Sequence, residues 1–360
     1  MNDELLNRLI VSIALRNNLR NAHLLLEQYN SATALVQARE DLFSSKYHQL
    51  RDKALRELDF IAKHDIQTYF CQDDNYPQRL LSCVDAPLLL FSKGNIDINP
   101  RHAIGIVGTR MPSERGKDWC RRLVLDLANQ VKDLVIVSGL AYGIDITAHR
   151  AAIEAGIPTI IVPAHGLDRI YPAVHRNIAV KALEHGGILT EYPSGTDPER
   201  YNFVARNRIV ASMSDALVVV ESKAKGGSLI TAQMAIDYGR DVFALPGRYN
   251  DECSEGCNNL IKTNRAQLIT NAEDILHSMQ WHQNTPKAVQ TRIVELLDDY
   301  TAQQRSIIQH LRATDDGCHI NQLVISLQLP YNEIAAELMT LELKGVVKGL
   351  PGGMWRWIEI

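Results

Sequence analysis

Three glycine-bearing turns in the middle of the chain carry residues that could hold phosphate groups. Each turn follows a short apolar run, and the three contain Gly108-Thr109-Arg110, Ser138-Gly139 and Gly226-Gly227-Ser228. Glycine lets the backbone come close to a ligand, and the helical pattern behind each turn directs unpaired N–H groups outward. Arg110 would add a forked, charge-assisted contact to those of the amides. The turns therefore predict a site for phosphate groups.

A second candidate segment, Arg206-Asn207-Arg208, places two cations around an amide. Residues two positions apart point to different sides of a helix or turn, so the two arginines cannot share one role. We expect one arginine to meet phosphate, with Asn207 beside it. The other would pair with Glu191 or Asp215.

The side chains near these turns each admit two interpretations. Asp145 and His149 stand four residues apart, which could indicate an acid–base pair, but we favour Asp145 neutralising His149 or capping a neighbouring backbone group. Tyr142, Tyr171 and Phe203 could stack on nucleic-acid bases, or Tyr171 and Phe203 could belong to the core. No residue in this set would read the edges of bases, so sequence preference is expected to be weak.

Short apolar runs alternate with helical patterns through the middle of the chain and must position the turns. The runs that predict strands are 103–107, 134–137, 158–162, 187–191, 216–220 and 241–245, with a further edge strand expected within 86–91. The alternation predicts an α/β fold: an extended Rossmann-like, doubly wound, mostly parallel sheet with right-handed crossovers. Turns that follow parallel strands open on one edge of the sheet, where such folds bind ligands.

Composition limits the classes of function that the chain can have. Its 360 residues, 46% of them hydrophobic, are enough for two or three soluble domains. The net charge of −4 excludes a blanket polyanion-binding surface, so any nucleic acid must meet a local basic patch. Two clusters qualify, although solvated helix faces remain an alternative: Arg110, Arg115, Lys117, Arg121 and Arg122, and then Arg200, Arg206, Arg208, Lys223 and Lys225.

Compartment and metal content follow from what the sequence lacks. No secretory signal and no apolar run of membrane-spanning length is visible, which predicts a cytoplasmic protein with no membrane partner. Six cysteines are scattered, and Cys253 and Cys257 have no second pair nearby, which favours reduced thiols over a zinc site. We expect no metal and no cofactor.

Four segments are predicted along the chain. Residues 1–65 form a helical module of the SAM-like or helix-hairpin-helix-like kind, with Ser31 as a helix cap; residues 66–279 form the Rossmann-like domain; residues 280–291 are a linker; and residues 292–360 form a winged helix-turn-helix. The recognition helix of this last domain carries Glu333, Glu337 and Glu342. That acidity disfavours contact with phosphate and favours a protein partner.

Six motifs in a fixed order carry a resemblance to a known family. They are Ile106-Val107-Gly108-Thr109-Arg110, Ser138-Gly139-Leu140-Ala141-x-Gly143-Ile144-Asp145-x-x-Ala148-His149, Gly166-x-Asp168-x-x-Tyr171-Pro172, Phe203-x-x-Arg206-Asn207-Arg208-Ile209, Gly227-Ser228-Leu229-Ile230-Thr231-Ala232 and Val242-Phe243-Ala244-Leu245-Pro246-Gly247. Together they resemble the DNA-processing protein DprA (Smf) family across roughly residues 70 to 265.

The resemblance implies a cytoplasmic homodimer without catalytic activity. Such a protein would bind single-stranded DNA, protect incoming DNA and load the RecA recombinase during natural transformation. Carried over by motif, the DNA-binding residues are Gly108, Thr109, Arg110, Ser138, Gly139, Arg206, Asn207, Arg208, Gly226, Gly227 and Ser228.

Other classes fit the residues less well. A Rossmann-like hydrolase of nucleoside monophosphates is the chief rival, but it pairs its phosphate turn with Pro-Gly-Gly-x-Gly-Thr and a catalytic glutamate. A dinucleotide dehydrogenase would need Gly-x-Gly-x-x-Gly, and a P-loop nucleotidase would need Gly-Lys-Ser/Thr; the turns of this sequence have neither motif. An adaptor that works through the winged helix alone would leave the glycine turns unexplained.

Overall fold

A computed structural model describes residues 3–43, 46–281, 300–312, 314, 317–350 and 352–357. The chain divides into two units, Met1–Gln283 and Asn284–Ile360. Most of the predicted linker at 280–291 lies outside the described residues. The boundaries expected at residues 65 and 291 stay predictions.

The first unit alternates strands and helices after an N-terminal run of helices. Its helices are α1 (Asp3–Leu15), α2 (Leu19–Tyr29), α3 (Ala32–Ala38), α4 (Glu40–Phe43), α5 (Tyr47–His64), α6 (Gln78–Leu81), α7 (Glu114–Gln130), α8 (Ile144–Glu154), α9 (Arg176–Ala182), α10 (Arg200–Ser212), α11 (Gly227–Asp237), α12 (Glu255–Lys262) and α13 (Ala272–Met279), with a short 3-10 helix at Ala173–His175. Its strands are β1 (Gln67–Phe70), β2 (Leu89–Gly94), β3 (His102–Gly108), β4 (Leu134–Ser138), β5 (Thr159–Ile161), β6 (Gly187–Thr190), β7 (Ala216–Val220), β8 (Asp241–Ala244) and β9 (Gln267–Leu268).

Within the described residues of the first unit, the strands form one sheet in the order β1-β2-β6-β5-β4-β3-β7-β8-β9. In this order, neighbouring strands from β6 to β9 pair in parallel, whereas β2 pairs antiparallel with both of its neighbours, β1 and β6. Helices α7 and α8 cover one face of the parallel strands, and α10 and α11 cover the other. The predicted doubly wound, mostly parallel sheet and its six central strands are therefore confirmed.

The edge strand expected from sequence was wrong in its start and in its place in the sheet. The strand predicted within 86–91 begins later, at Leu89, and lies second in the sheet rather than at its edge. Strand β1 covers it, with Phe70 opposite Leu89 and Gln67 opposite Ser92. The four residues of β1 sit in a proline-containing connector and are too few to show a clear alternation, so sequence reasoning missed them.

The N-terminal helices pack against the β1–β2 end of the sheet. Leu9, Ile10 and Leu26 from the helices share a core with Phe70 and Leu89 from the strands. The Ser31 hydroxyl accepts the Ala34 amide at 3.1 Å, which confirms the predicted helix cap.

The second unit is the predicted winged helix. It contains α14 (Ala302–Arg312), β10 (Cys318–His319), α15 (Ile320–Leu327), α16 (Tyr331–Leu343), β11 (Val347–Leu350) and β12 (Met354–Trp357), with the strands in the order β10-β12-β11. The three acidic side chains of α16 all accept hydrogen bonds within the unit: Glu333 from the Gln303 side chain at 3.4 Å, Glu337 from the Gln304 side chain at 2.6 Å, and Glu342 from the Gly349 amide at 2.9 Å. The protein partner expected for this winged helix stays a prediction.

Within the described residues, no helix combines the length and apolar composition that crossing a bilayer requires.

Candidate nucleic-acid interface

An open depression lies where β3 and β7 end, and we call it the edge depression. Its floor comes from the turns that follow these two strands, and its walls come from α10 and the start of α11. The volume is about 360 Å³. The lining residues are Val107, Gly108, Thr109, Arg110, Met111, Ala141, Asp145, Phe203, Val204, Arg206, Asn207, Ser222, Lys223, Lys225, Gly226, Gly227, Ser228, Ile230 and Thr231.

The first turn is fixed on both sides by its own backbone. The Thr109 amide donates to the Glu221 carbonyl at 2.8 Å, and the Thr109 carbonyl accepts the Ile144 amide at 3.2 Å. Only glycine fits at position 108, because a Cβ there would clash with the Val220 carbonyl oxygen. The turn therefore holds the exposed Arg110 at the rim of the depression.

The first turn of α11 forms the opposite side. The Gly226 amide donates to the Lys223 carbonyl at 3.0 Å, and the Ser228 hydroxyl donates to the Ser222 hydroxyl at 2.9 Å. The Leu229 amide is the one that donates to the Gly226 carbonyl, at 3.2 Å, so the amides of Gly227 and Ser228 before it have no acceptor within the helix and are available to an anion. A Cβ on Gly227 would meet open space, and Lys225 beside it is exposed. The turn predicted from sequence therefore faces the depression.

Arg206 reaches the depression from behind its wall. It is 3% exposed, its Nη1 donates to the Val162 carbonyl, and within the described residues its buried Nε has no partner. Burial lowers the pKa of the Arg206 guanidinium, while the Asp145 carboxylate raises it. The Asp145 carboxylate therefore offsets part of the cost of burying this cation, and Nε stays as an unused donor on a side chain that lines the depression.

Ser138 and Gly139 lie behind the depression rather than on its surface. The Ser138 hydroxyl is fully buried and donates to the Ile106 carbonyl at 2.6 Å. A Cβ on Gly139 would clash with the Arg206 guanidinium and lie 2.5 Å from an Asp145 oxygen. These contacts indicate that Gly139 makes room for Arg206, and they correct the expectation that Ser138 offers its hydroxyl to a ligand.

The expectation that Arg208 binds DNA is also corrected, because Arg208 does not line the depression. It is 8% exposed, its Nη2 pairs with Glu191, and its Nη1 donates to the Asp85 carbonyl at 2.6 Å. The expectation that one arginine pairs with Glu191 or Asp215 is thereby confirmed for Arg208. Asn207 and Arg206, on the other side of α10, do line the depression.

Aromatic rings extend the depression on the Arg110 side. The Arg110 guanidinium lies 5.4 Å from the centre of the Phe203 ring, and the Tyr171 ring lies 6.0 Å from Phe203 at 58°. Tyr171 is 48% exposed, so it is not a core residue. Tyr142 is also half exposed and makes an edge contact with His175, with 5.0 Å between ring centres. Ring faces are thus available beside the cations.

Three exposed apolar side chains in the depression were not selected from sequence. Met111 is 76% exposed, Ile230 43% and Val204 40%. Single apolar residues after a turn or on a helix carry no signal of their own, and only the assembled site shows that they share one surface. Apolar groups beside cations suit the faces of bases better than an isolated inorganic anion.

The basic clusters are partly neutralised by neighbouring carboxylates. Arg121 pairs with Glu154, Lys117 pairs with Glu114 at 2.6 Å, and Lys223 pairs with Glu252 at 2.7 Å. Solvated helix faces therefore account for part of the first cluster, as the alternative interpretation held.

Asp145 and His149 are not an acid–base pair. Asp145 Oδ2 accepts the Ala141 amide at 3.3 Å, which confirms the capping role, and burial raises the pKa of this carboxyl. His149 Nδ1 lies 2.7 Å from the Thr159 hydroxyl instead. Burial and the Arg206 charge lower the pKa of His149 to about 3.

The buried His149 should make the fold sensitive to acid. The folded ring stays neutral where the unfolded ring, with a pKa of about 6.5, takes up a proton. Below about pH 6.5 the unfolded state therefore binds more protons, and the free energy of unfolding falls by up to about 1.4 kcal/mol per pH unit until about pH 3. Urea denaturation at about pH 7 and about pH 5 should show a larger loss for the wild type than for His149→Asn. Equal losses would contradict this assignment.

Comparison with known proteins places the chain in a family. The model of the DNA recombination-mediator protein A family matches residues 67–280, and the model of the DprA winged helix domain matches residues 287–353. DNA processing protein DprA of Streptococcus pneumoniae is 38% identical over 240 residues, which are 67% of this chain and 82% of that protein. Protein Smf of Escherichia coli is 35% identical over 288 residues, 78% of this chain and 75% of that protein.

Solved structures agree with the sequence comparison. The X-ray structure of DNA processing protein A from Streptococcus pneumoniae superposes with a TM-score of 0.60 at 38% identity, over 66% of this chain and 81% of that one. DNA processing protein A from Helicobacter pylori, whose structure was described for its single-stranded DNA binding mode, gives a TM-score of 0.54 at 31% identity, over 60% of this chain and 95% of that one. The chain therefore belongs to the DNA recombination-mediator protein A family, whose members carry the names DprA and Smf.

Proposed function

We propose that this protein binds single-stranded DNA through its phosphates at the edge depression. The observation that carries the proposal is the convergence of Arg110, Lys225 and the first turn of α11 on one open depression, with the buried Arg206 behind them. Turns after adjacent strands lie about 5 Å apart, which is within reach of successive phosphates on a flexible chain. The Helicobacter pylori relative, described for its single-stranded DNA binding, supports the same choice.

The ring faces beside the cations favour a single strand over a duplex. Phe203 and Tyr171 offer aromatic faces, and Met111 and Ile230 offer apolar ones. Bases in a duplex are already stacked on one another, whereas those of a single strand are free to use these surfaces.

The depression is suited to holding the strand rather than cleaving it. Among the described residues that line it, Asp145 is the one carboxylate, and this carboxylate caps the Ala141 amide. The hydroxyls of Ser222 and Ser228 hydrogen-bond to each other rather than to a general base. These contacts disfavour the rival hydrolase, which needs a free acid beside its phosphate turn.

In the cell, we propose that the protein protects incoming DNA and loads the RecA recombinase during natural transformation. We further propose that it acts in the cytoplasm as a homodimer. The support is the description of the matching family as a recombination mediator and the DNA-processing names of its relatives.

A titration with matched oligonucleotides tests the proposal. Single-stranded DNA should bind more tightly than a duplex of the same sequence, and the affinity should fall about tenfold between about 50 and about 200 mM salt, since two or three phosphates are neutralised. Fluorescence anisotropy measures both. Equal affinity for the two forms, or no binding, would count against the proposal, and release of free base from nucleoside monophosphates would favour the hydrolase.

A further inference from the structure

We propose that the loop at residues 245–254, which follows β8, is a second subsite for the same single strand. In this subsite Tyr249 stacks on a base and Arg248 contacts a phosphate. The proposal rests on the proposed function and states where the strand continues beyond the edge depression. The first observation is the exposure of Tyr249. Its side chain is 95% exposed, whereas Tyr142 and Tyr171 are about half exposed.

The topology of the sheet places this loop beside the depression. Strand β8 pairs in parallel with β7, and β7 pairs in parallel with β3, so the turns that follow all three leave the same edge. The loop after β8 is one strand spacing, about 5 Å, beyond the turn that supports α11. A backbone hydrogen bond of 2.8 Å from the Gly256 amide to the Ser222 carbonyl ties its far end to a residue that lines the depression.

The loop is held by hydrogen bonds to α12 and within itself. The Asn258 side chain pairs with both backbone groups of Gly247, accepting the N–H and donating to the carbonyl, each at 3.1 Å. Asp251 accepts the Cys253 amide at 3.0 Å and the Ser254 hydroxyl at 2.8 Å. A loop fixed at both ends presents Tyr249 with little ordering cost, and an aromatic ring on a fixed support is what stacking requires.

The charges connect the loop to the depression. Lys223 lines the depression and bonds Glu252 of the loop at 2.7 Å, while Arg248 is exposed. Of the two acidic residues between positions 248 and 254, Asp251 is engaged by the loop itself and Glu252 by Lys223. Cations thus continue along adjacent turns from Arg110 through Lys225 to Arg248. A path of this kind fits a polyanion better than a protein partner.

Binding measured against oligonucleotide length tests the second subsite. Tyr249→Ala should weaken binding of a strand of about twelve nucleotides about tenfold, while a strand of about four nucleotides, which fills the depression only, should bind the variant and the wild type equally. Tyr249→Phe keeps the ring and should bind both lengths like the wild type. Arg248→Ala should reduce the salt slope for the longer strand by about one.

Three outcomes separate this inference from the proposed function. A wild type that binds the longer strand, with a Tyr249→Ala variant that binds it equally well, would overturn the second subsite and leave the depression standing. Equal weakening of both lengths would also overturn it, because the residue would then act on the depression or the fold. A wild type that binds neither length would remove the proposed function and the subsite together.

Discussion

Arg110→Ala is expected to weaken single-stranded DNA binding by about tenfold to a hundredfold and to leave the free energy of unfolding unchanged. The side chain is exposed at the rim of the depression, so its removal opens no cavity and leaves no buried group unpaired. It would remove one forked, charge-assisted contact to phosphate, which contributes about 1.5–3 kcal/mol. Anisotropy titration measures the affinity, and urea denaturation measures the stability.

Two control variants make this result specific. Arg110→Lys keeps the charge and loses the fork, so it should fall between the wild type and alanine. Arg115→Ala removes an exposed arginine at the start of α7 that does not line the depression, and it should bind like the wild type. If Arg110→Ala and Arg115→Ala behaved alike, Arg110 would be an ordinary solvated arginine.

Arg208→Met should lower the free energy of unfolding by about 3–5 kcal/mol while the folded variant keeps its affinity for single-stranded DNA. The side chains of Arg208 and Glu191 are 9% and 5% exposed, and removing one partner leaves the other charge buried without compensation. The Asp85 carbonyl also loses its donor. Urea denaturation gives the stability, and titration under native conditions gives the affinity.

The matched control removes both charges of the pair. Combining Arg208→Met with Glu191→Gln should recover a large part of the lost stability, because no buried charge then remains unpaired. A stable Arg208→Met variant that had lost DNA binding would contradict the structural role of Arg208. That result would favour a direct contact between Arg208 and DNA, as the motif implied.

The order of strands and helices could be predicted because buried parallel strands are continuous apolar runs. Residues 216–220 are all apolar and all buried, and the strand bounds follow this run without an error. The close approach at Gly108 could be predicted as well, because a glycine after such a run indicates a backbone contact. Short strands such as β1 and β9 are beyond this method, since four residues or two cannot show a period.

The direction of each polar side chain could not be predicted. The sequence places Arg206 and Arg208 on different sides of a helix, but the rotation of α10 against the sheet decides which one reaches the depression. Ser138 ends a strand in a position that suits a ligand, and packing turns its hydroxyl to the Ile106 carbonyl instead. Glu191 could be named from sequence as one of two possible partners of an arginine, but the hydrogen bond from Arg208 to the Asp85 carbonyl, 123 residues away in sequence, appears only once the chain is folded.

Replacing the charge of the DNA backbone tests whether the depression holds the strand by its phosphates. Two single strands of one sequence, one with ordinary phosphodiesters and one with uncharged methylphosphonates, keep the same bases and differ in the groups that the depression should hold. We expect the uncharged strand to bind at least about tenfold more weakly, with an affinity that no longer depends on salt. Equal affinity for the two strands would contradict it.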